Sequence, residues 1–205
     1  MRYVTEDHYF AETPGGPARS REVTFAIDGQ EYRLTGSGGV FSAGRLDPGT
    51  AVLLRKAPLP AADAAGPFLD LGTGYGPIAC VLASRATKAL VYAVDVNSRA
   101  LELVERNAAA IGAAGRVLPA RPDEVPADVR FAEIWSNPPI RVGKAELHEM
   151  LARWLPRLAP GGAAWLVVAK HLGGDSLQRW LAEHGHPVER HASQKGYRVL
   201  HVRRP

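Results

Sequence analysis

Asn137, Pro138, Pro139 and Ile140 are the residues whose types and spacing point most directly to chemistry, because they close a short run that holds the apolar pair Ile134 and Trp135. Two adjacent prolines fix φ and donate no backbone hydrogen bond, so they end the preceding element and make a rigid polar corner. The Asn137 side-chain oxygen and the Pro138 carbonyl are then two acceptors on stiff backbone. Fixed acceptors suit a planar amine, whose delocalised lone pair makes it a poor nucleophile. Drawing its hydrogens towards acceptors favours the tetrahedral nitrogen of a displacement transition state. Such chemistry requires neither a metal nor a nucleophilic side chain. The bland alternative is a structural turn after a strand.

A second group of residues gives the corner something to face. In "DLGTGYGP", residues 70–77, Gly72, Gly74 and Gly76 allow a tight turn and a close ligand approach, and Pro77 suits the first turn of a helix. A dinucleotide fingerprint would require glycine at position 77, so the spacing argues against a pyrophosphate site and an NAD enzyme. Asp95, in "YAVDVN", stands where a strand-end carboxylate can accept from both hydroxyls of a ribose, although it can also cap the next helix. A nucleoside without phosphate fits these features, and S-adenosylmethionine is one.

These residues need a scaffold that brings strand ends together. "REVTFAIDGQEYRLTG" alternates apolar and polar residues around Asp28-Gly29 and predicts a hairpin. A glycine-rich loop then leads to a short helix near residues 50–54. From Phe68 onward, apolar strand-like runs alternate with helix-period runs. Leu101, Val104, Ala108 and Ile111 share one helical face, with Ser98 as the predicted N-cap and Gly112 or Gly115 as the stop. Leu147, Leu151, Trp154 and Leu158 mark a later helix, bent at Pro156, and "APGG" predicts a turn into the apolar strand "AAWLVVAK". The last two runs predict an antiparallel hairpin. The reading is an α/β fold, a doubly wound and mostly parallel sheet with its site at the strands' carboxyl ends. Residues 1–60 form a hairpin and flank that is not independent, and residues 61–205 the main domain.

Composition narrows the partners. A formal net charge of +4 permits a polyanion such as RNA, although arginine in an Ala-, Gly- and Pro-rich chain accounts for it equally well. The opening residues lack the apolar region of a secretory signal and no apolar run spans a membrane, so a cytoplasmic protein is expected. The single cysteine, Cys80, lies in an apolar stretch and reads as a core thiol.

Taken together, residues 68–202 resemble a class I S-adenosylmethionine-dependent methyltransferase. The whole chain is similar to the small methyltransferase domain family, which includes guanine-N2 methyltransferases of small-subunit ribosomal RNA. The similarity is carried by "HYF" (8–10), "GVFSAGRLDPGT" (39–50), "DLGTGYGPI" (70–78), "VDVN" (94–97), "SNPPIRVGK" (136–144), "LAPGG" (158–162) and "KGYRVL" (195–200). It implies a seven-stranded Rossmann-like sheet with the N-terminal hairpin as a lid. Cofactor contacts are implied for Asp70, Gly72, Thr73, Gly74, Gly76, Asp95, Val96 and Asn137, for Asp123 near the adenine amine, and for Phe41. Arg45, Asp47 and Thr50 match the family element that closes over the cofactor. The corner Asn137 to Ile140 is implied to hold the amine.

Ile140 departs from related motifs that carry Tyr or Phe for stacking on a base. Stacking then falls to Phe41 or Tyr75, or the amine is not on a base. Arg141 and Lys144 are placed to meet an RNA phosphate or are solvated surface charge. His148 reads as a half-buried polar residue. Ribosomal RNA or the small ribosomal subunit is the implied partner. A protein glutamine amide, a small-molecule amine, and a non-catalytic cofactor- or RNA-binding module stay open.

Overall fold

A computed structural model describes residues 20–37, 45–138 and 143–204. Phe41, Pro139, Ile140 and Arg141 lie outside them. Strands β1 (Ser20–Ile27) and β2 (Gln30–Ser37) form the expected antiparallel hairpin, with Ile27 paired to Gln30. Asp28 and Gly29 both adopt positive φ, 47° and 79°, as a two-residue turn of the primed type requires. Val23, Phe25, Ile27, Tyr32 and Leu34 are buried, and the rings of Phe25 and Tyr32 stack at 5.2 Å.

The short helix is α1 (Pro48–Lys56), longer at both ends than residues 50–54. The Asp47 side chain caps it by accepting from the Thr50 N–H, and Pro48 supplies a preset φ at the first position, signals that extend it upstream. The sheet that follows contains β3 (Phe68–Leu71), β4 (Val91–Val94), β5 (Val117–Ala120), β6 (Phe131–Ser136), β7 (Leu158–Ala169), β8 (Val188–Gln194) and β9 (Tyr197–Arg203). Its order is β5-β4-β3-β6-β7-β9-β8. Pairs from β5 to β7 are parallel, while β9 pairs antiparallel with both β7 and β8. The fold is therefore doubly wound, and the order reverses between β3 and β6, which opens a crevice at their carboxyl ends.

Helices cover both faces. The hairpin, α1, α2 (Pro77–Arg85) and α3 (Ser98–Ala110) share one core, and α4 (Lys144–Trp154) and α5 (Gly174–Glu183) share the other. Cys80 is fully buried in the first, and burial pushes its thiol up to about 12. The N-cap of α3 is Asn97, not Ser98: its amide oxygen accepts from the Arg99 and Ala100 N–H groups while its own backbone stays extended. Gly112 follows at φ 71°, the left-handed stop expected there. The "APGG" turn lies inside β7. Leu158 pairs with Phe131 and Ala163 with Glu133, so residues 159–162 bulge out of the ladder.

Asn107 on α3 fastens the hairpin to the rest of the protein. Its side chain accepts from the Thr35 N–H at 2.7 Å and donates to the carbonyls of Thr35 at 2.9 Å and Tyr75 at 2.8 Å. It is buried, and its pairing is what allows an amide to stand there. No helix among the described residues is long and apolar enough to cross a membrane.

Candidate functional site

A cavity of about 700 Å³ opens at the switch point. Its floor is the glycine loop between β3 and α2, where Gly72, Gly74 and Gly76 take φ of 74°, 58° and 88°. A Cβ on Gly76 would sit 3.2 Å from Val104 Cγ2, so glycine is needed there for both conformation and packing. Asp70 shapes the loop from beneath. Its Oδ2 accepts from Thr73 Oγ1 at 2.6 Å and from the Ala79 N–H at 2.9 Å, tying the loop to α2. Its Oδ1 is buried with no partner, and burial, outweighing these bonds, pushes the carboxyl up to about 7.

Asp95, just beyond β4, lines the cavity and binds the loop from the other side. Its Oδ2 accepts from the Gly74 N–H at 2.9 Å and its Oδ1 from the Asn97 N–H at 3.0 Å. Desolvation raises its pKa against these stabilising bonds. Each oxygen retains lone-pair capacity for a further donor, which suits two adjacent hydroxyls. Leu71, Val94, Val96, Pro122 and Met150 supply apolar wall for a base, so the residues present fit a nucleoside cofactor.

Across the crevice, Ser136 Oγ donates to the Leu71 carbonyl at 2.6 Å and fixes the end of β6 beside the loop. Asn137 and Pro138 follow and both line the cavity. The Asn137 amide nitrogen donates to Asp47 Oδ1 at 2.6 Å and to Thr50 Oγ1 at 3.0 Å, so α1 meets the corner directly.

The structure thus brings together Gly72, Thr73, Gly74, Tyr75, Asp95, Val96, Asn137 and Pro138 around one cavity. Asp70 and Gly76 support it without lining it. Tyr75 is buried in the wall with its hydroxyl unpartnered. Asp123 is exposed and does not line the cavity, and its neighbour Pro122 does. A turn closed by the Glu124 N–H on the Arg121 carbonyl, and by the Arg121 N–H on Glu124 Oε2, directs Asp123 outward. Lys144 begins α4, exposed and off the cavity wall. His148 stacks on Trp180 at 4.0 Å, the half-buried polar residue expected of it.

Glu146, Glu149, Met150 and Arg153 form a wall that sequence reasoning missed. They recur at spacings of three and four beside the core stripe of α4, the pattern of a second helical face. Tyr197, at the start of β9, also lines the cavity. No group of three or more His, Cys, Asp or Glu side chains able to hold a metal occurs among the described residues.

Residues 31–201 match the family model for the methyltransferase small domain. The chain belongs to that family. An uncharacterised Bacillus subtilis protein, YbxB, is 30% identical over 200 residues, covering 97% of this chain and 98% of its own. Ribosomal RNA small subunit methyltransferase C of Pseudomonas aeruginosa is 34% identical over 180 residues, 85% of this chain and 52% of that protein. Among solved structures, the T. thermophilus 16S rRNA N2-methyltransferase in complex with AdoMet and guanosine superposes with a TM-score of 0.77 at 28% identity. That match covers 94% of this chain and 52% of that one. The chain therefore spans about half the length of its relatives that have a named ribosomal RNA activity, and nearly all of YbxB. In this methyltransferase small domain the glycine loop, Asp95 and the Asn-Pro corner share one cavity.

Proposed function

We propose that the protein is an S-adenosylmethionine-dependent N-methyltransferase acting on guanine N2 of 16S ribosomal RNA. The observation that carries this reading is that the Asn137 and Pro138 corner lines the same cavity as Gly72, Gly74 and Asp95. S-adenosylmethionine supplies an electrophilic methyl group on a sulfonium. Asp95 takes the ribose hydroxyls, and the loop of Gly72, Thr73 and Gly74 carries the rest of the cofactor. Asn137 Oδ1 and the Pro138 carbonyl accept the hydrogens of the substrate amine, which lowers the cost of rehybridising its nitrogen and aims the lone pair along the line of displacement. Tyr75 supplies buried wall to the cavity, and Lys144, exposed at the start of α4, is available to an RNA phosphate. The similarity to ribosomal RNA methyltransferases supports the RNA assignment.

Incubation with labelled S-adenosylmethionine and undermethylated small ribosomal subunits tests the proposal. Label in the RNA that digests to N2-methylguanosine is the expected result. No label, with cofactor binding confirmed by calorimetry, refutes the RNA substrate. A protein glutamine amide or small amine is a second reading, favoured by Glu146 and Glu149 on the cavity wall, where carboxylates repel phosphate. Mass spectrometry of labelled protein and small molecules from the same lysate separates the two.

A further inference from the structure

We propose that Asp47 and Thr50 are positioning residues for Asn137, fixing its side-chain amide so that only the oxygen is free for the incoming amine. This rests on the methyl-transfer reading above and adds a role for the start of α1. Both amide hydrogens are used, at 2.6 Å on Asp47 Oδ1 and 3.0 Å on Thr50 Oγ1. A carboxylate only accepts, so turning the amide over would set two oxygens against each other and lose the bond that joins Asn137 to Asp47. The side chain is therefore held in one of its two orientations by chemistry, not by packing alone. Asp47 and Thr50 are only 7% and 4% exposed, and both line the cavity beside Asn137.

Asp47 is itself held in place. The same Oδ1 accepts the Thr50 N–H at 2.9 Å, so the helix cap and the amide clamp are one atom. Capping explains that bond but not the one to a residue 90 positions away. Gly49 lets the helix approach: a Cβ there would lie 3.0 Å from Asp47 Oδ1, 3.0 Å from Tyr197 Cε1 and 3.2 Å from Asn137 Oδ1. The charged acceptor also polarises the amide and makes its oxygen a better acceptor for a substrate N–H.

The test compares Thr50→Val, which removes the acceptor at nearly constant shape, with Thr50→Ser, which restores it. One readout is hydrogen exchange of the Asn137 side-chain amide by NMR, with the signal assigned by its loss in Asn137→Ala. The other is kcat on undermethylated subunits at saturating cofactor. Thr50→Val should exchange the amide faster and lower kcat, each by about tenfold. Thr50→Ser should return both readouts to the parent value. Asp47→Asn retains a capping oxygen but loses the charge, and should lower kcat on the order of a hundredfold. Parent-like kcat in Thr50→Val overturns the proposal, whatever the amide does. If the parent protein methylates no subunit, the substrate assignment fails instead, and unchanged amide exchange in Thr50→Val then overturns the positioning role by itself.

Discussion

Asp70 holds the glycine loop with a carboxyl that burial pushes up from 3.8 to about 7. The native state therefore binds this proton more tightly than the unfolded chain does. The stability it contributes is complete below the unfolded value and is lost as pH rises through about 7. Each tenfold difference in proton affinity between the two states is worth about 1.4 kcal/mol, so the loss amounts to a few kcal/mol at most. Thermal unfolding followed from pH 5 to pH 8 should show the midpoint falling, and Asp70→Asn should make that fall shallower. It should not abolish it, since burial also raises Asp95 and Glu133. An equally steep fall in Asp70→Asn would show that the loop carboxyl does not titrate in this range. At this scale the sequence was informative where a residue's neighbours in the chain decide its surroundings. Asp95 and Asn137 end strands in recognisable motifs, and both line the cavity. The bond from Asn137 to Asp47 crosses 90 positions and has no local signature.

The element that constrains the site most is the glycine loop, and Gly76 is its tightest point. Gly76→Ala places a Cβ at φ 88° and 3.2 Å from Val104 Cγ2, so both the backbone and α3 must give. It should cost roughly 1–3 kcal/mol and lower the melting temperature by roughly 3–10 °C. Calorimetry should show weaker cofactor binding as well; parent-like binding and melting would mean that the loop relaxes without cost. Elements were legible in the sequence where pattern and punctuation agree. The Asp28-Gly29 hairpin, the alternation of strands and helices from Phe68 onward and the glycine stop after α3 needed no distant partner. The N-cap of α3 fell one residue early because Asn97 and Ser98 are both good caps, and only the backbone decides between them. The cavity wall on α4 was illegible for a different reason: Glu146, Glu149 and Arg153 are the residues a solvated helix face would carry, and the sheet's geometry turns them towards the cavity.

At the scale of the whole molecule, we propose that the described residues before position 61 and the sheet that follows fold as one unit. Val52, Leu53 and Leu54 of α1 are buried in the core shared with α2 and α3. A chain shortened to residues 61–205 loses that burial, worth about 1.5–3 kcal/mol for each of the three side chains, which rivals the stability of a whole domain. It should show no cooperative thermal transition by circular dichroism; a sharp transition near the parent's would establish residues 61–205 as autonomous. The hairpin has a subtler part in the same unit. One amide, that of Asn107, bonds both Thr35 of the hairpin and Tyr75 of the glycine loop, although no hairpin residue described lines the cavity. A shared bond of this kind makes two remote equilibria reciprocal: whatever free energy a ligand spends in stilling the loop must reappear as resistance of the hairpin to opening. Amides of β1 and β2 should therefore exchange more slowly when S-adenosylmethionine is added, and Asn107→Ala should remove that response. The hairpin would then report, from outside the cavity, on whether the cavity is filled.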